Sequence, residues 1–274
     1  MRRDPRGFYR VMGYPLPSSD PHRFARCGDQ AEPQPSDYPS INKDVMATHC
    51  ARIEKLKLYC ASTPFLRAVY VCNSLSFEAG KETSDIDVVC VVDPGYLWVA
   101  RAWLTIILLV TGQKRMFGGS SAGKVCLSFW LDSSSLNLFP LSLSPLDYYL
   151  IYWIAHCVPI YLRDGEQDVG LLRRANSWID RWLPGTVGYV HTIPNLLPRI
   201  GSVRFFAFLP KLFGSKRLGP LRWFLRISQI FLMIVKRWFR KEKYTIVSDT
   251  VVRTYRDQRQ VYNTALGLHF RKDF

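Results

Sequence analysis

The most constraining feature of the chain is a mostly apolar run from Asp85 to Val92 that carries two aspartates, Asp85 and Asp87, at its start. Such a run favours a buried β-strand. Residues two apart on a strand point to the same face, so the two carboxylates are predicted to project side by side. Carboxylates that close repel each other unless a cation lies between them, and Mg²⁺ prefers carboxylate oxygens. The pattern therefore predicts a strand that holds a metal and the phosphates of a nucleotide.

A plainer interpretation is also open for this pair. Asp85 and Asp87 would then be a solvated pair at the edge of a sheet, capped by Thr83 or Ser84. The uninterrupted apolar stretch from Val88 to Val92 favours the metal site, because it buries the strand that carries the acids.

The chain divides into three predicted regions. Residues 1–41 are rich in proline and are expected to form a flexible leader. Residues 42–140 alternate helical and strand patterns, and residues 141–274 are expected to form a basic, mainly helical region. The three predicted strands of the middle region are 65–72, 85–92 and 124–131.

The order of elements in the middle region resembles the polymerase-beta-type nucleotidyltransferase superfamily, and its small prokaryotic nucleotidyltransferase-domain proteins in particular. The resemblance covers residues 65–131. It consists of a hydrophobic strand, the turn Asn73-Ser74, ten intervening residues and then the strand bearing Asp85 and Asp87. It implies an α/β (α+β) fold, in which a small mixed β-sheet forms the nucleotidyltransferase core and helices pack on it.

The resemblance also implies roles for individual residues. Asp85 and Asp87 would be the catalytic carboxylates and would bind Mg²⁺ or Mn²⁺, with a nucleoside triphosphate such as ATP as substrate. Ser74 would donate to phosphate oxygens, and Lys124 would reach a phosphate as a point charge. The residues expected to contact the nucleotide are Asn73, Ser74, Ser84, Lys124 and Ser128.

Two positions depart from the superfamily pattern. Asn73 stands where glycine is favoured, although asparagine tolerates a positive φ better than most residues. The third strand, where a further carboxylate is usual, has none: its inward side would carry either Cys126 and Ser128 or Leu127 and Phe129, and Asp132 lies at its end. A nucleotide- or RNA-binding protein on a catalytically lapsed scaffold is therefore the alternative.

Positive charge is concentrated at the carboxy-terminal end of the chain. Of the net charge of +15, residues 199–274 contribute 17 Lys and Arg against 4 Asp and Glu. Such a surface suits an anionic acceptor, either RNA or a small molecule, or else anionic lipid or an acidic partner. The cysteines show no C-x-x-C pair, and no apolar run is long enough to cross a membrane, so a cytoplasmic protein is expected.

The clearest element of this basic region is an amphipathic helix predicted from Pro220 to about Lys243. Its simplest interpretation is a helix that packs on the core. Peripheral membrane contact or binding of RNA phosphates through its arginines are the alternatives. One side of the helix is mostly polar and carries Arg222, Arg226, Gln229, Met233, Lys236 and Arg240. The opposite side carries Leu221, Phe224, Leu225, Phe231, Leu232, Val235, Trp238 and Phe239.

Overall fold

The computed structural model describes residues 9, 12–15, 39–116, 119–143, 146–165, 168–183, 193, 196–201, 219–240, 246–253 and 259. The strands within them are β1 (Leu66–Val71), β2 (Ile86–Val92), β3 (Val125–Asp132), β4 (Val158–Leu162), β5 (Arg199–Ile200), β6 (Ile246–Val247) and β7 (Val251–Arg253). The α-helices are α1 (Lys43–Ala61), α2 (Leu97–Val110), α3 (Tyr148–Ala155), α4 (Leu171–Ala175) and α5 (Gly219–Arg240).

The seven strands form one mixed sheet in the order β5-β4-β1-β2-β3-β7-β6. β1 is antiparallel to both β2 and β4, whereas β2 and β3 are parallel. A parallel pair needs a crossover connection, and α2 supplies it. The expectation of a mixed α/β fold is confirmed, with a sheet that four strands from residues 141–274 extend.

The central strands bury both of their faces. Val88, Cys90 and Val92 belong to a core cluster with residues of α1 and α2. Val89 and Val91 belong to a second cluster, formed with α3 and α4. Because side chains alternate along a strand, Asp87 lies on the same face as Val89. The alternation therefore directs Asp87 toward the layer that contains α3.

Most of the predicted leader, residues 1–41, lies outside the described residues. Tyr9 departs from the expected flexibility, because its side chain is only 1% exposed. Its hydroxyl lies 2.6 Å from Nε2 of His156, and its ring packs edge-on against Phe77 and Tyr152. An aromatic ring with a satisfied hydroxyl is a stable core element, so at this position the prediction of a loosely packed leader is wrong.

Helix α5 packs on α2, and it does so through the polar side of the helix. The side-chain amide of Gln229 donates to the backbone oxygen of Trp98 at 2.8 Å and accepts from Arg101 at 2.8 Å. Arg226 pairs with Asp249 at 2.6 Å. The helix does pack on the body of the protein, but an ordinary amphipathic helix would bury its apolar side instead. Across the described residues, no helix combines the length and the apolar composition that crossing a bilayer requires.

Candidate metal and nucleotide site

Three side chains with metal-binding atoms meet at the amino-terminal end of β2. Asp87 lies directly opposite Cys126 in the parallel pairing of β2 with β3, and Asp85 immediately precedes β2. One ligand atom from each of Asp85, Asp87 and Cys126 lies within 4.8 Å of the other two. The side-by-side placement of the two carboxylates agrees with the strand periodicity, and the group can hold a metal ion.

An irregularity in β3 decides which of its side chains reach this site. The register of β2 and β3 shifts between Asp87 and Val89, so that Asp87 pairs with Cys126 and Val89 pairs with Phe129. The extra residue in β3 is a β-bulge, which breaks the simple alternation that sequence reasoning assumes. The predicted alternative of Leu127 with Phe129 is wrong, because these side chains join core clusters on opposite faces of the sheet. Cys126 contributes to the site, and its predicted partner Ser128 has a side chain outside the described part of the structure.

The nearest downstream acid, Asp132, does not reach the site. It pairs with Val92 at the opposite end of β2, six residues and roughly 20 Å along the strand from Cys126. Its carboxylate is buried and accepts hydrogen bonds from the backbone of Gly95 at 2.7 Å and of Ser134 at 2.9 Å. Asp132 therefore caps a turn, and Cys126 is the residue of β3 that lies opposite Asp87.

Asn73 connects the turn after β1 to Asp87. Its φ of 59° lies in the left-handed region, which asparagine tolerates. Its side-chain amide donates to Oδ2 of Asp87 at 2.8 Å, and its side-chain oxygen accepts from the indole of Trp153 at 2.8 Å. Asn73 therefore positions the carboxylate through a chain of hydrogen bonds that begins on α3.

Arg115 supplies a positive charge at the same place. It lies on the segment between α2 and β3, forms a salt bridge with Asp85, and places Nη1 4.0 Å from Sγ of Cys126. Partial burial lowers the pKa of the guanidinium, but the neighbouring Asp85 and Cys126 more than offset this and the net shift is upward. The arginine is therefore cationic, and it offsets part of the repulsion between the two carboxylates.

The environment of Asp87 makes its ionised form costly. Burial raises the pKa of its carboxyl group, and the charge of Asp85 raises it further. The hydrogen bonds from Asn73 and Cys126 and the charge of Arg115 act in the opposite direction without cancelling the rise. A bound cation favours an ionised carboxylate, so this geometry gains from one.

The remaining predicted nucleotide-contacting residues are placed as follows. Ser74 follows Asn73 in a 3₁₀ turn beside the site, and its backbone oxygen accepts from Ala79 at 2.8 Å. The Ser84 hydroxyl accepts from the backbone of Lys81 at 3.0 Å, which makes it a local turn residue. The ammonium of Lys124 donates to the backbone oxygen of Gly112 at 2.6 Å. The backbone of Ser128 belongs to β3, but its side chain lies outside the described part of the structure.

Two contributors were missed by sequence reasoning. Arg115 lies in a basic, glycine-rich loop, and its charge was the available signal, but its reach to Asp85 depends on how the loop folds back along β3. Trp153 carries no sequence signal for a site, because an indole on an apolar helix is indistinguishable from an ordinary core residue.

A cleft of about 460 Å³ lies beside the segment that leads into the site. It is lined by residues 78–83, which precede Ser84 and Asp85, together with residues from the start of α1 and positions 13, 15, 39 and 40. A volume of this size falls within the usual range for small-molecule sites, about 300–1,000 Å³.

Comparison with known proteins was negative at each level: no protein-family model, no curated protein and no solved structure matches the chain.

Proposed function

We propose that the protein is a metal-dependent nucleotidyltransferase that moves a nucleoside monophosphate group from a nucleoside triphosphate to a hydroxyl or phosphate acceptor. An acceptor oxygen attacks the α-phosphorus, the bond to the oxygen that bridges to the β-phosphate breaks, and pyrophosphate leaves. A hydroxyl acceptor releases its proton to solvent or to a basic group. The proposal depends on one observation, the close approach of Asp85, Asp87 and Cys126 at the amino-terminal end of β2.

The donor atoms fit a divalent cation that carries a triphosphate. Two carboxylates suit Mg²⁺ or Mn²⁺, which leave several coordination positions to water and phosphate oxygens. The sulfur of Cys126 is a poor ligand for Mg²⁺ and a better one for softer ions. Asp85 and Asp87 are therefore the residues that would hold the metal, and the bound ion would neutralise charge on the phosphoryl groups.

The surrounding residues support this role through position and charge. Asn73 holds the Asp87 carboxylate in one orientation by a 2.8 Å hydrogen bond. Arg115 pairs with Asp85, and its side chain is 42% exposed. A cation bound by Asp85 would compete with this ion pair, and the released guanidinium is suited to phosphate oxygens because its N–H groups form a planar fork.

A second candidate function follows from Cys126. Because this thiol stands opposite Asp87 where a third carboxylate was sought, the site lacks an evident general base within β3. The same geometry therefore also supports a protein that binds a nucleotide or RNA through a metal without transferring the nucleotide.

Calorimetric titration of the full chain with Mg²⁺ and each nucleoside triphosphate tests the proposed metal–nucleotide site. The Asp85→Asn and Asp87→Asn variants are expected to lose metal-dependent nucleotide binding by at least about a hundredfold, since each removes a charged ligand. The control is Asp164→Asn, which removes an exposed carboxylate that pairs with Arg163. Unchanged nucleotide affinity in both site variants would disprove the assignment.

Release of pyrophosphate separates the two candidate functions. Wild-type protein is incubated with labelled triphosphates and Mg²⁺ or Mn²⁺, first alone and then with RNA or small hydroxyl acceptors. Metal-dependent pyrophosphate release that Asp87→Asn abolishes supports transfer. Tight nucleotide binding with no release under any of these conditions supports the binding protein instead.

A further inference from the structure

Helix α5 turns its apolar side away from the protein. The six side chains that form this exposed apolar face are Trp223, Phe224, Ile227, Phe231, Leu232 and Ile234. The rings of Trp223, Phe224 and Phe231 are 60–63% exposed, whereas Gln229 on the polar side is only 9% exposed. Apart from Met233 and Ile230, which pack on the apolar core, the usual relationship between polarity and burial is therefore reversed along this helix.

The polar side is held against the protein by specific hydrogen bonds, which fix the rotation of the helix. Gln229 bridges the backbone of Trp98 and the guanidinium of Arg101, both on α2. Arg222 donates to the backbone oxygen of Gly95 at 3.0 Å and stacks over the ring of Tyr96 at 4.7 Å. Rotating the helix to bury its apolar face would break these contacts, so the exposure is built into the packing.

The exposed surface is larger than scattered apolar residues would give. Whole aromatic side chains cover about 150–250 Å², so the three rings alone expose roughly 400 Å². The largest apolar patch on an ordinary monomer is about 300–600 Å² and is often functional. Three aliphatic side chains on the same helix face enlarge the patch further.

The charge of the helix indicates what covers this face. Residues 219–240 contain five Lys and Arg and no acidic residue, and the next three residues, Lys241, Glu242 and Lys243, add one further net positive charge. With a net charge of +15, two copies of the chain repel each other, whereas an anionic surface attracts them. Aromatic and aliphatic residues combined with a basic composition are the pattern of helices that lie in the interface of an anionic bilayer.

We propose that the exposed apolar face of α5 docks onto the surface of an anionic lipid bilayer. The helix of 22 residues, about 33 Å long, lies parallel to the membrane between the lipid and the body of the protein. Its apolar side chains enter the boundary between headgroups and acyl chains, while its polar side stays on α2. Asp87 lies on the opposite face of the sheet from α2, so docking through α5 does not cover the candidate metal site.

Cosedimentation of the full chain with lipid vesicles tests the proposal. Vesicles of equimolar phosphatidylcholine and phosphatidylglycerol are compared with pure phosphatidylcholine vesicles at about 0.15 M salt. The wild-type protein is expected to pellet with the anionic vesicles. The Phe224→Glu/Phe231→Glu variant is expected to bind them at least about tenfold more weakly, because it places two carboxylates in the docking face.

A matched control keeps the result specific. Leu58→Glu/Ile200→Glu introduces the same two charges at apolar residues of α1 and β5 that are 52% and 64% exposed, and it is expected to bind like the wild type. Because Phe224 and Phe231 are exposed, the double variant should keep the circular dichroism spectrum and thermal unfolding of the wild type. A large loss of stability would show that these rings are structural and would overturn the proposal.

Four other outcomes would overturn the proposal. In the first, the wild-type protein does not bind anionic vesicles; in the second, the double variant binds them as tightly as the wild type. In the third, the wild-type protein does not bind vesicles but is a dimer by light scattering, and the double variant is a monomer. This result would assign the face to a second copy of the chain. In the fourth, the wild-type protein binds single-stranded RNA but not vesicles, and the double variant does not bind the RNA. This result would assign the face to nucleic acid.

Discussion

The side-chain amide of Asn73 donates a hydrogen bond to Oδ2 of Asp87 over 2.8 Å. The same side chain accepts from the indole of Trp153, so Asn73 receives from α3 and donates to the carboxylate. Its φ of 59° brings the turn after β1 into this position. Asparagine is suited to both tasks, because it tolerates the left-handed conformation and carries one donor group and one acceptor.

Two replacements of Asn73 therefore separate the contribution of its hydrogen bonds to stability from that of its tolerance of a positive φ. Asn73→Gly keeps the backbone conformation and loses the hydrogen bonds, and it is expected to cost about 1–2 kcal/mol of the free energy of unfolding. Asn73→Ala loses the same hydrogen bonds and also strains the backbone, at a further cost of about 1 kcal/mol. Urea unfolding measures both variants. Equal stabilities of the two would show that the positive φ carries no cost.

Arg115 is expected to limit the affinity of the free site for cations. Its guanidinium pairs with Asp85, so an incoming cation meets a positive charge and an occupied ligand. Arg115→Gln should therefore bind Mn²⁺ about three- to tenfold more tightly in the absence of nucleotide, with a smaller difference at high salt. Arg199→Gln removes an exposed arginine of β5 and serves as the control. Weaker Mn²⁺ binding by Arg115→Gln would contradict this view of the ion pair.

Cys126 is expected to set the metal preference of the site. Cys126→Asp adds a third carboxylate beside Asp87 and should raise the affinity for Mg²⁺ at least about tenfold. Cys126→Ser is the matched variant without added charge: it should leave Mg²⁺ affinity nearly unchanged and weaken binding of Cd²⁺, for which sulfur is the better ligand. Calorimetry with each ion measures the effect. If Asp at position 126 failed to strengthen Mg²⁺ binding, the thiol would lie outside the coordination sphere.

The raised pKa of Asp87 gives the metal-free protein a defined pH dependence. Burial, and then the charge of Asp85, raise this pKa in the folded state above its unfolded value, so the folded protein binds this proton up to a higher pH. Between the pKa of Asp87 in the unfolded state and its pKa in the folded state, the free energy of unfolding falls as pH rises. The ionised Asp87 carboxylate therefore destabilises the folded protein at neutral pH. Asp87→Asn should therefore unfold at a higher temperature than the wild type at pH 7, and the difference should shrink as pH falls through the raised pKa. Calorimetric scans across this range would contradict the shift if the difference were independent of pH.

Because α5 buries its polar side, we expect a polar residue of this helix to contribute more to the free energy of unfolding than an exposed aromatic one. Gln229→Ala removes the acceptor of Arg101, a guanidinium whose pKa burial lowers to about 10, and should cost about 2 kcal/mol of unfolding free energy. Phe231→Ala truncates a ring that is largely exposed and should change stability by less than about 0.5 kcal/mol. Urea unfolding of both variants tests the order. A larger loss at Phe231 would mean that the ring, and not the amide, packs on the protein.

Part of the fold and of the candidate site could be predicted from local patterns in the amino-acid sequence. The periodicity of residues 85–92 placed the two carboxylates on one face of a buried strand, and the structure brings them together with Cys126. The strands on either side of the turn at Asn73 were likewise apparent, because burial on both faces leaves long apolar runs in the sequence.

The rest was decided by contacts between residues far apart in the chain. The amino-acid sequence by itself determined the three strands of residues 65–131, the amphipathic helix and the placement of Asp85 and Asp87 on one face, since those follow from side-chain periodicity. Only the tertiary structure decided that a bulge in β3 presents Cys126, that Arg115 folds back onto Asp85, and that α5 buries Gln229. Amphipathicity shows that a helix has two faces, but which face is buried depends on the hydrogen-bonding groups that the neighbouring helix offers.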